Sequence, residues 1–214
     1  MDKHRQLFGI MTIISCFFVL CSGCTEQNKP PKNETIQTLL EKAAIIESIS
    51  YNIDTSFIVD GAVMQTTTIT VWQQTPYLKE EENSTSGNIS TTRLIVQRPE
   101  GVYLYNPNTQ TYQLDAMAIP PQPSTQAMVN NLLNNQTLIL IGTENISNIS
   151  TTIIQYHPNQ GGNSTTVTLW IWNEKGVPLK EQFTSNAEGT LVTINTMYNN
   201  YSFADIPIST FDVE

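Results

Sequence analysis

The chain is short of charge. Only 14% of its 214 residues are charged, with 10 Lys and Arg against 19 Asp and Glu, for a formal net charge of −9. Cations so few and so scattered exclude the basic footprint that nucleic-acid binding needs. The acidic balance also argues against holding anionic headgroups by charge. Histidine is as scarce. His157 lies beside Pro158, with no second His or Cys at ligand spacing, so no zinc or transition-metal site is expected. Nucleophile elbow, phosphate loop and dinucleotide fingerprint are all missing, and Gly161-Gly162 reads as a plain loop. The carboxylate run Glu80-Glu81-Glu82 reads as a solvated strand end. No catalytic residue is assigned, no cofactor is expected, and the chain reads as a non-enzyme. Internal repeats of fixed period are lacking, which excludes a solenoid or propeller.

Long hydrophobic runs are lacking too. The one uncharged apolar stretch, residues 7–20, is short of the roughly 18–20 residues that span a bilayer. It follows the basic head Lys3-His4-Arg5 and precedes the small residues Ser22 and Gly23, which is the layout of an export signal. The segment Leu20-Cys21-Ser22-Gly23-Cys24 is similar to the lipobox of lipoproteins, departing from it where Cys21 stands in place of an aliphatic residue. The expectation is a signal over 1–23, lipid on Cys24 and anchorage to the outer face of the cell membrane. The plainer alternative is that Cys24 merely follows an ordinary cleavage site. Two acyl chains would anchor stably where one binds marginally. Cys16 and Cys21 would leave with the signal, so Cys24 would have no intramolecular disulfide partner. Residues 24–33, containing Lys29-Pro30-Pro31-Lys32, read as a polar tether. Residues 34–214 are long enough for one domain with a real core.

Uncharged polar residues are what the chain has in abundance. Asn-x-Ser/Thr sequons begin at Asn33, Asn83, Asn88, Asn135, Asn145, Asn148, Asn163 and Asn200. On an exported surface these are glycosylation candidates, although an Asn-, Ser- and Thr-rich composition produces some sequons by chance.

Helical spacing of Leu39, Leu40, Ala43 and Ile46, with Thr35 as a cap, predicts a first helix ending near Ile49. From Tyr51 the apolar period becomes two. Strands are expected at 51–59, 63–73, 77–81, 89–97, 102–105 and 111–114, with Asp60-Gly61 as a hairpin signal and residues 83–87 as a polar turn. Three prolines within 119–123 break the sheet, and Ser124 caps a second helix to about Asn134, with Met128, Val129, Leu132 and Leu133 on its apolar side. Further strands follow at 138–141, 151–156, 164–172, 178–185 and 190–198, and a last extended piece at 203–211. In the strand at 164–172, Val167, Leu169 and Ile171 share one face, and Thr168, Trp170 and Trp172 the other. Trp72 is also assigned to the face away from the helices. The fold class is α+β. It is expected to be an antiparallel sheet of about ten or eleven strands, curved because it is wide, with two helices inside the curve.

Four segments carry a family resemblance. They are the first helix running into Ser50-Tyr51-Asn52-Ile53, Ile69-Thr70-Val71-Trp72 followed by Pro76-Tyr77-Leu78-Lys79, Gly101-Val102-Tyr103-Leu104-Tyr105-Asn106-Pro107, and Leu169-Trp170-Ile171-Trp172 followed by Gly176-Val177-Pro178-Leu179-Lys180. In this order they resemble the LolA/LppX-like superfamily of lipoprotein carriers and lipid-binding lipoproteins, and the composition resembles archaeal-type surface lipoproteins. Relatives often carry Asp where this chain has Trp172. The resemblance implies a half-barrel with helices over an apolar cavity, and a ligand such as an acyl or isoprenoid chain, or a lipidated partner. The candidate lining is Leu40, Ile46, Tyr51, Ile53, Phe57, Leu132, Leu133, Val167, Leu169 and Ile171. Two alternatives stay open. One is a sensor or structural interaction lipoprotein with a closed core and no ligand, docking an exported protein; the other is a carrier or chaperone for other lipoproteins. A monomer is expected.

Overall fold

Among the described residues, eleven antiparallel strands form one open sheet, and the first and last of them in chain order meet in its middle. The computed structural model describes residues 34–115, 125–158 and 164–213. Helix α1 (Glu34–Ala44) leads into strands β1 (Ser48–Val59), β2 (Ala62–Gln74), β3 (Tyr77–Ser86), β4 (Ile89–Arg98), β5 (Gly101–Asn106) and β6 (Thr111–Leu114). Helix α2 (Thr125–Asn135) separates them from β7 (Ile139–Ile146), β8 (Ile149–Tyr156), β9 (Ser164–Trp172), β10 (Pro178–Ala187) and β11 (Thr190–Ser202). The order across the sheet is β6-β5-β4-β3-β2-β1-β11-β10-β9-β8-β7. Two meanders are therefore sewn together along β1 and β11, with Phe57 opposite Ile194 and Ile53 opposite Tyr198. The two terminal strands, β6 and β7, do not pair with each other, so the sheet is a curved half-barrel with the helices packed over its concave face.

The turns follow from residue chemistry. Asp60 and Gly61 both have positive φ (47° and 83°), as do Glu188 and Gly189 (53° and 86°), the pattern of tight two-residue hairpin turns. Gly176 has φ +74° and lies against the backbone of α1, where an added Cβ would approach Ala43 N to 2.9 Å. Only glycine fits there, and the β9–β10 turn is thereby seated under the helix. Lys42 Nζ donates to Asn173 O at 2.6 Å in the same place.

Several expected boundaries move. Helix α1 stops at Ala44 rather than near Ile49, because Ser48 and Ile49 already pair with Gln74 and Gln73 of β2. Residues Asn83 to Ser86, expected as turn, continue β3, paired residue for residue with β4. The last segment is not extended throughout. Ile208–Phe211 forms a short 3-10 helix that packs on the convex side. There Phe211, 1% exposed, stacks on Tyr77 at 5.5 Å, and Lys79 Nζ donates to Thr210 O at 3.3 Å. The expected cap Ser124 lies outside the described residues, and the side chain of Thr35 lies outside the described ones.

Candidate functional site

The concave face is built in rows across the strands. Leu40, Leu39, Ile36 and Ala43 of α1 and Val129 and Leu132 of α2 are buried in one cluster with Ile49, Ile154, Tyr156, Val167, Leu169, Ile171 and Val177. Helix α2 is fastened at its start, where buried Thr125 donates from Oγ1 to Gln73 Oε1 at 3.5 Å. Because side chains alternate, every residue in register with Val167 shares that face. One such row runs Phe57, Ile194, Phe183, Val167, Tyr156 over five strands. The next runs Thr55, Thr196, Glu181, Leu169, Ile154. Phe183 still packs against the helix-bound cluster. Phe57 and Ile194, and their neighbours Val59 and Val192 on the same face, are half-buried and belong to neither core cluster.

The structure brings eight of the ten proposed lining residues into or against the helix-bound cluster, and a ninth into an adjoining cluster of the sheet. Leu40, Leu132, Val167, Leu169 and Ile171 are buried members of the main cluster, and Ile46, Tyr51 and Leu133 pack against it. Ile53 lies in the adjoining cluster with Val71 and Leu78, which Tyr51 also touches. Phe57 stands apart, further along β1. Of the other candidates, Asn83, Asn88, Asn145, Asn148 and Asn200 are exposed. Cys24, Asn33 and Asn163 lie outside the described residues, and so does the side chain of Asn135. His157 is exposed, with Nδ1 3.0 Å from Thr165 O.

Two readings need correction. Trp172 does not stay on the convex face. It packs against the helix-bound cluster and meets Phe203 edge-on at 5.9 Å, because β9 ends there and the chain turns back through Gly176. Glu80 is not solvated. It is 7% exposed, since the pairing of Val71 with Glu80 and of Ile69 with Glu82 turns both carboxylates to the concave side and leaves Glu81 facing out.

The polar groups of this face were missed from the sequence. A bulge at Asn200, φ 55°, adds a residue to β11, so Tyr198 and Tyr201 both turn inward rather than alternating. Tyr51 stacks on Tyr201 at 5.2 Å and lies 6.3 Å from Tyr198. Tyr201 Oη donates to Pro178 O at 2.5 Å. Tyr198 Oη donates to Glu181 Oε2 at 2.9 Å. Burial, and then the nearby Glu80, pushes the Tyr51 hydroxyl above its ordinary range. Burial, and then Glu181, does the same at Tyr156 and Tyr198. The Glu181 carboxyl is itself raised by burial, and the Tyr198 hydroxyl pulls the other way. A signal was present: on β10, Leu179, Glu181 and Phe183 alternate, so Glu181 stands in an apolar register. Among the described residues no group of three or more His, Cys, Asp and Glu could hold a metal, and no helix is long and apolar enough to cross a membrane.

No protein-family model matches the sequence. No curated protein matches it either. Solved structures do. An uncharacterized conserved protein from Thermus thermophilus aligns with TM-score 0.53 at 12% identity, over 82% of this chain and 91% of that one. The MucA/MucB complex of Pseudomonas aeruginosa aligns with TM-score 0.51 at 14% identity, over 84% of this chain. This chain spans only 61% of the matched chain there. Lipoprotein LppX of Mycobacterium tuberculosis aligns with TM-score 0.44 at 14% identity, over 83% of this chain and 100% of that one. At such identities the likeness is one of fold, shared with the Thermus protein and the matched chain of the MucA/MucB complex.

Proposed function

We propose that this chain is a membrane-anchored extracytoplasmic lipoprotein whose concave face binds an apolar ligand, an acyl or isoprenoid chain, without catalysis. The observation that carries this is the continuation of the apolar row past the helix-covered cluster. Phe57, Ile194, Val59 and Val192 are aliphatic or aromatic, lie on the concave side and are only half-buried. Each methylene laid against such a surface gains about 0.8 kcal/mol before ordering is subtracted. The export signal and the lipobox-like Cys24 support anchorage at the outer face of the cell membrane.

Native mass spectrometry of the protein extracted from its own membranes tests the binding. A mass excess that organic extraction removes is expected. Identical masses before and after extraction overturn the ligand. Anchorage is tested separately: Cys24→Ser moves the protein out of the membrane fraction if lipid on that sulfur holds it there.

A second reading, an interaction lipoprotein that docks another exported protein, is favoured by one feature. The terminal strand β7 exposes Ile139, Leu140 and Ile141 at 42%, 46% and 52%. An unpaired apolar strand edge is a template for adding a partner's strand.

A further inference from the structure

We infer that Glu181 is the polar anchor of the concave face, and that the ligand is an amphiphile ending in a hydroxyl rather than a plain hydrocarbon or an anionic headgroup. This rests on the apolar-ligand reading above and adds the chemistry of the ligand's polar end. Glu181 is the only charged residue in its row, between Thr196 on one side and Leu169 on the other. The rows beside it are apolar or tyrosine-bearing, with Phe183 and Tyr156 one step away and Tyr198 above. A carboxyl in such surroundings is costly unless hydrogen-bonded. One of its oxygens is satisfied: Oε2 accepts from Tyr198 at 2.9 Å. Among the described residues that bond is the only one Glu181 makes, which leaves Oε1 as a free acceptor on the concave side.

The neighbouring groups narrow the choice of ligand. Tyr198 is committed to Glu181, and Tyr201 is committed to the Pro178 carbonyl. Thr55 and Thr196 bond to each other at 3.2 Å. The vacant position therefore accepts a hydrogen bond and does not present a cation. A phosphate or carboxylate head would meet Glu181 with like charge. A hydroxyl satisfies Oε1 while its chain lies along Phe183, Ile194 and Phe57.

Calorimetric titration of the full chain at neutral pH with 1-octanol and with 1-methoxyheptane separates the possibilities. The two probes have equal numbers of heavy atoms, and only the alcohol carries a donor. The alcohol is expected to bind about fivefold more tightly, the worth of one hydrogen bond. Glu181→Leu is expected to erase that preference by weakening the alcohol and sparing the ether. Glu181→Gln, which keeps an acceptor oxygen, is expected to retain it. Equal binding of both probes by the unaltered chain overturns the anchor and leaves the apolar site standing. Failure of both probes to bind overturns the site and the anchor together. Should Glu181→Leu not fold, the comparison between the two probes on the unaltered chain and on Glu181→Gln still decides.

Discussion

The indole nitrogen of Trp170 donates to Glu144 Oε2 at 2.7 Å, reaching across β8 to tie β9 to the terminal strand β7. On its other side Lys180 Nζ sits 4.1 Å from the centre of the same ring. Trp170 is only 8% exposed, so this convex-face tryptophan braces the sheet margin. Trp170→Phe keeps most of the apolar area and loses the donor. It should cost about 1–2 kcal/mol in urea unfolding, with amide exchange quickening in β7 before it does in β9. Equal protection of β7 in both proteins would show that the brace is idle.

Gly176 makes a sharper prediction. A methyl group there meets the backbone of Leu39 and Ala43, which cannot rotate away, in a conformation of positive φ. Gly176→Ala should displace α1 and destabilise the protein by more than the roughly 1–2 kcal/mol that left-handed strain alone costs. Gly189→Ala is the control. It has φ +86° but nothing within 4 Å, so only the strain should appear. Matched losses in the two variants would mean that α1 is not seated on this turn.

Stability should depend on pH through Glu181. Burial holds its carboxyl above the ordinary 4.5, so the folded chain binds that proton more tightly than the unfolded chain does. The stabilisation is complete below 4.5 and drains away as pH rises through the elevated folded value. Glu181→Gln has no proton to lose. Its urea midpoint relative to the unaltered chain should therefore climb as pH rises from about 4.5 through that elevated value. A constant difference across that range would contradict the burial of this carboxyl.

The C-terminal turn can be tested by truncating one ring. Phe211→Ala removes a side chain that is 1% exposed and stacked on Tyr77, and should cost about 3 kcal/mol. Ile208, 50% exposed on the same turn, should tolerate alanine within about 0.5 kcal/mol. Comparable effects would show the turn to be detached from the sheet.

Much of this architecture is written in local patterns. Asp60-Gly61 and Glu188-Gly189 mark their hairpins because their backbone angles demand those residues. The strand bounds at Thr111–Leu114 and Ser164–Trp172 follow from clean alternation. The stretch from Asn83 to Ser86 misleads, since it lies on a strand end with little apolar burial on either face, and without an apolar face period two is invisible. The helix end misleads for the opposite reason: Ile45, Ile46 and Ile49 extend the helical spacing, but pairing with β2 claims the chain first. The tyrosine–glutamate cluster was illegible because it depends on one bulge. Alternation from Tyr198 assigns Tyr201 to the wrong face until Asn200 inserts its extra step. Glu80 was hidden in a triplet of identical residues, and only pairing with β2 distinguishes its members.

The seam between β1 and β11 has a consequence for how the protein is made. Val59 has to find Val192, a partner translated well over a hundred residues later, so the midline of the sheet cannot zip up while synthesis is under way. Each meander waits with a bare margin until the far end of the polypeptide arrives. Contacts this remote in sequence slow folding. Under the export proposed above, that delay would bring the chain to a translocation machinery still threadable, to close its midline only on the other side.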